Sequence, residues 1–188
     1  DLTWKARLEE HLGSFQVELI RSRTANVMND RLLLAGMLSS ATLINRFFPT
    51  GQVYKEFYES SENLFDLLQF PDIWTLGYFK WELEFLETLG FGLDLEKCAV
   101  TGSTEDLKFI SPKSGRAVSK AAAGDWSSKL LPFPVAARGQ VNSLEDILDG
   151  LKVSQFFLEK KVLIAFGMEH LPSARSRFIS SLERKIKN

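Results

Sequence analysis

Residues 98–132 read CAVTGSTEDLKFISPKSGRAVSKAAAGDWSSKLLP, from Cys98 to Pro132. Helical periodicity stops here and turn chemistry takes over. Gly102, Pro112, Gly115 and Gly124 punctuate the stretch, and Leu107–Ile110 (LKFI) predicts a short strand. Lys113, Arg116, Lys120 and Lys129 make it locally basic. A small irregular module on a helical scaffold is where binding residues tend to sit.

Outward from it, helical patterning predominates. On the N-terminal side, Ala25–Phe48 predicts a helix with a broad apolar face (Val27, Leu32, Leu34, Leu38, Ala41, Ile44), stopped by Pro49-Thr50-Gly51. Val53–Phe70 predicts a second, with Tyr54, Phe57, Tyr58, Leu64, Phe65 and Leu68 on one side and Glu56, Glu59 and Glu62 on the other. A third, capped by Asp72, runs to about Leu89 on Leu76, Phe79, Leu83 and Leu86, and ends at Gly90 and Gly92. Beyond the module, Lys120–Leu131 reads as one short, imperfect helix broken at Pro132. Ser143, with Asp146 three residues on, predicts a capping box. Leu144 to about Gly167 is very apolar, Phe156–Phe166 nearly all round, and reads as a central bundle helix; the alternative is a partner groove rimmed by cations. Pro172 opens a last helix carrying Arg175, Arg177, Arg184, Lys185 and Lys187. At the start, Trp4, Ala6 and Leu8 alternate with Lys5, Arg7 and Glu9, and Phe15, Val17 and Leu19 with Gln16 and Glu18, predicting two strands or one interrupted strand.

Composition bounds function. The 188 residues are 45% hydrophobic and 25% charged, ordinary for a globular protein, and the formal net charge of -1 gives no global attraction to nucleic acid. Any such surface is a local patch, drawn from Lys5, Arg7, Arg21 and Arg23, from the module's cations, or from the C-terminal cluster. Solvated helix faces are the plain alternative for each. Trp126 and Phe133 are the nearest aromatic platforms, or core residues. The single cysteine, Cys98, excludes an intrachain disulfide and points to a reducing, cytoplasmic setting. The apolar runs are too interrupted by charge to span a bilayer, and no secretion signal is visible. A chain opening on Asp1 reads as a fragment or a trimmed product.

No catalytic set emerges. His11 and His170 stand alone, the carboxylates fall mostly on solvent faces, and Gly90-Phe91-Gly92 lacks the strand and helix that a phosphate-binding loop needs. Cys98 has no partner cysteine, so it reads as a packed thiol rather than a zinc ligand. No cofactor is called for.

The chain resembles the RecO recombination-mediator family of bacteria. The likeness is carried by Leu89, Gly90, Leu93, Asp94, Leu95 and Cys98, then Thr101-Gly102, Phe109, Ser111–Arg116 and Gly124. Trp4, Ala6, Arg7, Leu12, Gly13 and Glu18 look like the family's exit from an OB barrel, and Leu171-Pro172, Ala174-Arg175, Arg177-Phe178 and Leu182 like its C-terminal helix. The resemblance implies residues 1–22 as the end of an OB domain, most of it outside this chain. It implies residues 23–188 as a mainly α bundle of about five or six helices, with a zinc-knuckle-like insertion at about 93–132. Many members carry four cysteines there; here Thr101, Ser111 and Ser114 stand at those places.

The resemblance further implies a DNA repair and recombination mediator that is not an enzyme. It would bind single- and double-stranded DNA and the acidic, phenylalanine-ending tail of single-strand DNA-binding protein, anneal strands, and help recombinase loading with RecR, in the bacterial cytoplasm at the nucleoid. Lys113, Arg116, Lys120, Arg175, Arg177, Arg7 and Arg21 are the candidate DNA or partner contacts. A helical adaptor without DNA binding of its own is the other reading.

Overall fold

The computed structural model describes residues 1–8 and 11–187 and is mainly α. The sequence reading at Glu9 lies outside the described residues. Two short strands, β1 (Leu2–Lys5) and β2 (Ser14–Val17), pair antiparallel with Leu2 opposite Val17 and Trp4 opposite Phe15. The strands of this ribbon are exposed throughout. It is tethered rather than buried: Arg23 grips Glu62 with both Nη atoms (3.0 and 2.8 Å) and donates Nε to Asp66 (2.8 Å), and Arg21 also pairs with Asp66.

Four long helices arise from apolar periodicity: α1 (Arg31–Phe47), α2 (Lys55–Asp66), α3 (Pro71–Thr88) and, beyond the insertion, α5 (Leu144–Phe157). The last helix, α7 (Ser173–Lys187), lies along α1 in the most extensive pairing of the fold. Several boundaries depart from the sequence reading, α2 among them, which is shorter than the expected Val53–Phe70. Helix α1 starts six residues later than expected, because Asp30 caps it, accepting from the N–H groups of Leu32 (2.8 Å) and Leu33 (3.0 Å). Asp72 is not the cap of α3: Pro71 occupies the first turn, and Asp72 lies inside it, at the positive end of the helix dipole. Residues 120–131 are not one helix. The short α4 (Lys120–Ala123) gives way to a 3-10 stretch, Gly124–Lys129, because Gly124 takes φ +46°. The capping box of α5 is as read: the Asp146 carboxylate accepts from the N–H groups of Asn142 (2.8 Å) and Ser143 (3.2 Å).

Helix α3 is the axis of the bundle. Trp74, Thr75, Tyr78, Phe79, Trp81, Glu82, Phe85 and Leu86 are all buried, so it faces neighbours on most of its circumference. Small residues on the flanking helices let its rings in. A Cβ on Gly36 of α1 would stand 2.3 Å from Trp74, and one on Gly150 of α5 would stand 2.7 Å from Phe79. The indole N–H groups are satisfied on α2, Trp74 by the Leu64 carbonyl (2.9 Å) and Trp81 by Ser61 Oγ (3.0 Å).

The predicted long helix after Leu144 is interrupted. A π turn, Leu158–Val162, joins α5 to the three-residue α6 (Leu163–Ala165). Leu158, Val162 and Leu163 are buried there, but Ile164 is 71% exposed, so the stretch is not apolar on all sides of the bundle. Among the described residues no helix is long and apolar enough to cross a membrane.

Candidate nucleic-acid and peptide interface

The insertion is built on a three-stranded antiparallel sheet in the order β4 (Ala117–Ser119), β3 (Leu107–Ile110), β5 (Leu131–Pro132). Leu107 and Ile110 are buried and Lys108 faces out; two positions three apart share the core only because the pairing with β4 shifts register between Leu107 and Phe109, which breaks strict alternation. The preceding loop is laced to β4 through the backbone. Asp94 N–H donates to Gly115 O (3.1 Å), Ala117 N–H to Asp94 O (2.8 Å) and Ala99 N–H to Ala117 O (2.7 Å).

Four cysteines would hold zinc in such a module, and the residues present do not fit it. Cys98 is buried, and its Sγ accepts from Ser119 N–H at 3.3 Å. Ser111 Oγ accepts from Ser114 N–H at 3.3 Å, closing the turn from within. Among the described residues no three His, Cys, Asp or Glu side chains gather where a cation would sit. Arg138, unremarked in the sequence, supplies a cross-link of another kind. Its guanidinium donates to the carbonyls of Leu95 (3.2 Å), Glu96 (3.3 Å) and Thr104 (3.3 Å) and lies 5.1 Å from the Phe133 ring centroid.

The candidate cations divide sharply. Lys113, Lys120 and Lys129 are exposed on the module. Lys129 Nζ lies 4.6 Å over the ring of Trp126, which is 65% exposed. Phe133, the other aromatic candidate, is buried and is core. Arg116 is half committed, its Nε 3.2 Å from Asp94 Oδ2. Arg7 is exposed beyond the first strand. Arg21 and Arg23 are occupied by Asp66 and Glu62; the Glu62 hydrogen bonds raise the Arg23 guanidinium above its ordinary value.

Arg175 is the correction. It is 2% exposed, and its charge is consumed inside the bundle. Nε and Nη2 each reach a Glu82 oxygen at 2.8 Å, Nη2 also donates to Leu151 O (3.0 Å), and Nη1 donates to Gln155 Oε1 (3.1 Å). Tyr78 donates its OH to Glu82 Oε2 (3.1 Å), and Ser154 donates to Oε1. An arginine so enclosed offers nothing to a phosphate. The signal was present in the sequence: Glu82 is flanked at three and four residues by Tyr78, Phe79, Phe85 and Leu86, which places a carboxylate on a buried face, and such a carboxylate needs a partner.

Arg177 remains exposed, and the structure gives it company that the sequence hid. A groove of about 480 Å³ between α1 and α7 is floored by Leu34, Ala35 and Leu38 and edged by Arg31, Arg177 and Arg184. Arg184 and Lys185 also border, with Arg31, an adjoining hollow of about 410 Å³. The sequence placed a possible groove at Phe156–Phe166; an apolar floor with a cationic rim occurs here as well. A third, aromatic cleft of about 430 Å³ lies at Phe48, Tyr54, Phe57 and Tyr58; the neighbouring hollow carries Glu56, Glu84 and Glu87, charges that repel phosphate.

A family model described as "Recombination protein O C terminal" matches residues 28–167. The chain is 47% identical over 188 residues to the DNA repair protein RecO of Ruegeria sp. (strain TM1040), an alignment covering 99% of this chain and 78% of that protein. It is 45% identical to the RecO of Jannaschia sp. (strain CCS1), over 99% of this chain and 76% of that one, and 43% identical to that of Roseobacter denitrificans, over 99% and 78%. No solved structure matches.

Proposed function

Because the chain belongs to the RecO family of DNA repair proteins, we propose that it is a recombination mediator that makes and breaks no bonds. It binds single- and double-stranded DNA, holds complementary strands for annealing, and helps to load the recombinase with RecR. Such a protein works in the cytoplasm at the nucleoid. The ribbon of β1 and β2, within residues 1–22, is on this reading the end of the family's OB barrel, and residues 23–188 are its helical partner domain.

The observation that carries the DNA reading is Trp126. It is 65% exposed, with Lys129 4.6 Å over its ring and Lys120 exposed on the same module. Bases of any sequence stack on an aromatic ring, while spaced cations track the backbone. Lys113 and Arg116 are further cations of the insertion, and Arg7 is exposed beyond β1. A net charge of -1 does not oppose this, because backbone contact is local and depends on counterions released at the patch.

The groove between α1 and α7 supports a second contact, with the tail of single-strand DNA-binding protein. Leu34, Ala35 and Leu38 would take a terminal phenylalanine, and Arg31, Arg177 and Arg184 its acidic residues. The adaptor alternative keeps this contact and drops the DNA.

A labelled single strand titrated across a salt series, with an acidic phenylalanine-ended peptide as competitor, separates the readings. The expected result is affinity falling steeply with salt, and a loss of about 1–3 kcal/mol on Trp126→Ala. Peptide binding with no DNA binding would leave the adaptor reading.

A further inference from the structure

The sequence holds Gly90-Phe91-Gly92 and Lys113-Ser114-Gly115 far apart, and neither is a phosphate loop by itself. The fold brings them together. A cleft of about 220 Å³ is lined by both turns and completed by Lys161, with Phe157 at its base. Phe157 is 2% exposed, so the base is fixed core, while Lys113 is exposed and Lys161 half-buried. Neither lysine makes an ion pair among the described residues.

Three features prepare this cleft for an anion. Lys161 lies in the π turn Leu158–Val162. One extra residue in a helical turn rotates the next side chains by about 100°, and such turns are used to re-aim side chains at functional sites. Gly115 holds φ +70°, a conformation that favours glycine, and a Cβ there would stand 3.1 Å from Leu93 and 3.4 Å from the Gly92 carbonyl, so the turn that carries Lys113 packs closely on the first turn. The N–H groups of Gly92 and Lys113 donate to no acceptor among the described residues, which leaves them for water or an anion.

We infer that this cleft seats one phosphate of a nucleic-acid backbone, with Lys113 and Lys161 on either side of it and Ser114 as a further donor. The inference rests on the DNA-binding reading above and adds to it a site, and a cation, that the Trp126 edge does not contain. Two lysines serving one phosphate act as a unit, so removing both costs one backbone contact rather than two.

The experiment uses the full chain and a labelled thymidine oligonucleotide, with affinity measured between low and moderate salt. Lys113→Gln, Lys161→Gln and the double variant are compared with the parent, with Lys120→Gln plus Lys129→Gln as a second basic pair and Lys152→Gln as control, since Lys152 is paired with Asp149 at 2.8 Å. The double cleft variant is expected to lower the steepness of log affinity against log salt by about 0.7, the value of one single-strand phosphate. In the parent, the amide resonances of Gly92 and Lys113 are expected to shift on adding the oligonucleotide.

If the parent binds steeply and the Lys120 and Lys129 pair reduces the slope while the cleft variants do not, DNA binding stands and the cleft assignment falls. If inorganic phosphate shifts those amides but the oligonucleotide does not bind, the cleft is a free-phosphate site and the backbone assignment is overturned. If neither probe shifts them, the cleft assignment falls; absence of oligonucleotide binding by the parent removes the DNA reading as well.

Discussion

A carboxylate and a guanidinium sit at the centre of this bundle, out of contact with water. Glu82 is 0% and Arg175 2% exposed, and every polar side-chain atom buried with them has a hydrogen-bond partner among the described residues. Burial opposes the charge on Arg175, and Glu82 beside it more than restores it, so the guanidinium is held above its ordinary value. Removing one partner leaves the other charged and dry, and that is the expensive change. Arg175→Ala is therefore expected to lower unfolding free energy by about 3–5 kcal/mol in urea titrations. Arg175→Met combined with Glu82→Leu removes both charges and is expected to recover most of that loss. An undiminished stability in Arg175→Ala would mean that the pair is not buried as described.

Tyr78 belongs to the same network. Burial and the neighbouring Glu82 raise its phenol well above the ordinary value. The neutral form is thus the folded form, while the unfolded chain ionises near pH 10. The stability that this contributes is fully present below about pH 10 and is lost as pH climbs above it. Tyr78→Phe is expected to flatten the alkaline fall in melting temperature, at the expense of the hydrogen bonds to Ser39 (2.7 Å) and Glu82. A profile unchanged above pH 10 would count against it.

At the scale of elements, the insertion shows how a module keeps its shape without four cysteines. Three chain segments meet in it, and the links are backbone bonds, the Asp94–Arg116 pair and the fork of Arg138 over three carbonyls. The fork closes a long loop, since Arg138 and Leu95 are 43 residues apart. Arg138→Ala is expected to speed amide exchange at Ala99 and Ala117 while leaving α1 and α7 protected. A zinc chelator is expected to leave the unfolding midpoint where it was. A midpoint that fell on chelation would show that a metal holds the module after all.

At the scale of the molecule, charge is sorted rather than balanced point by point. Acidic residues collect on α2 and α3, where Glu62 and Asp66 hold the ribbon and Glu56, Glu84 and Glu87 border the aromatic cleft. Exposed cations collect along α7 with Arg31, while the lysines of the insertion stand among exposed Glu96, Glu105, Asp106 and Asp125. A formal charge of -1 conceals that separation. If the two basic regions serve different ligands, they are separable by mutation. Arg177→Glu with Arg184→Glu is expected to abolish binding of an acidic phenylalanine-ended peptide and to leave the salt slope of oligonucleotide binding unchanged, because no cation of the insertion is removed. A slope lowered along with the loss of the peptide would merge the two into one surface.

Much of the fold was legible because it is local. Apolar spacing located the helices, Ser143 and Asp146 announced a helix start, and glycines with Pro112 marked the insertion; each depends on residues within about one turn. The boundaries that shifted did so where two local signals competed, as at Asp30 and Pro71. The candidate sites were less legible. Whether an arginine on a helix is free or spent depends on what the chain brings against it, and Glu82 lies 93 residues from Arg175. The same holds for Arg31 beside Arg177, and for Lys113 beside Lys161. By itself, the sequence determined the helical class and the position of the insertion, since periodicity and turn residues encode those along the chain, and its likeness to RecO proteins gave the family. Only the tertiary structure decided which cations face solvent, because a charge is cancelled or left free by neighbours distant in sequence.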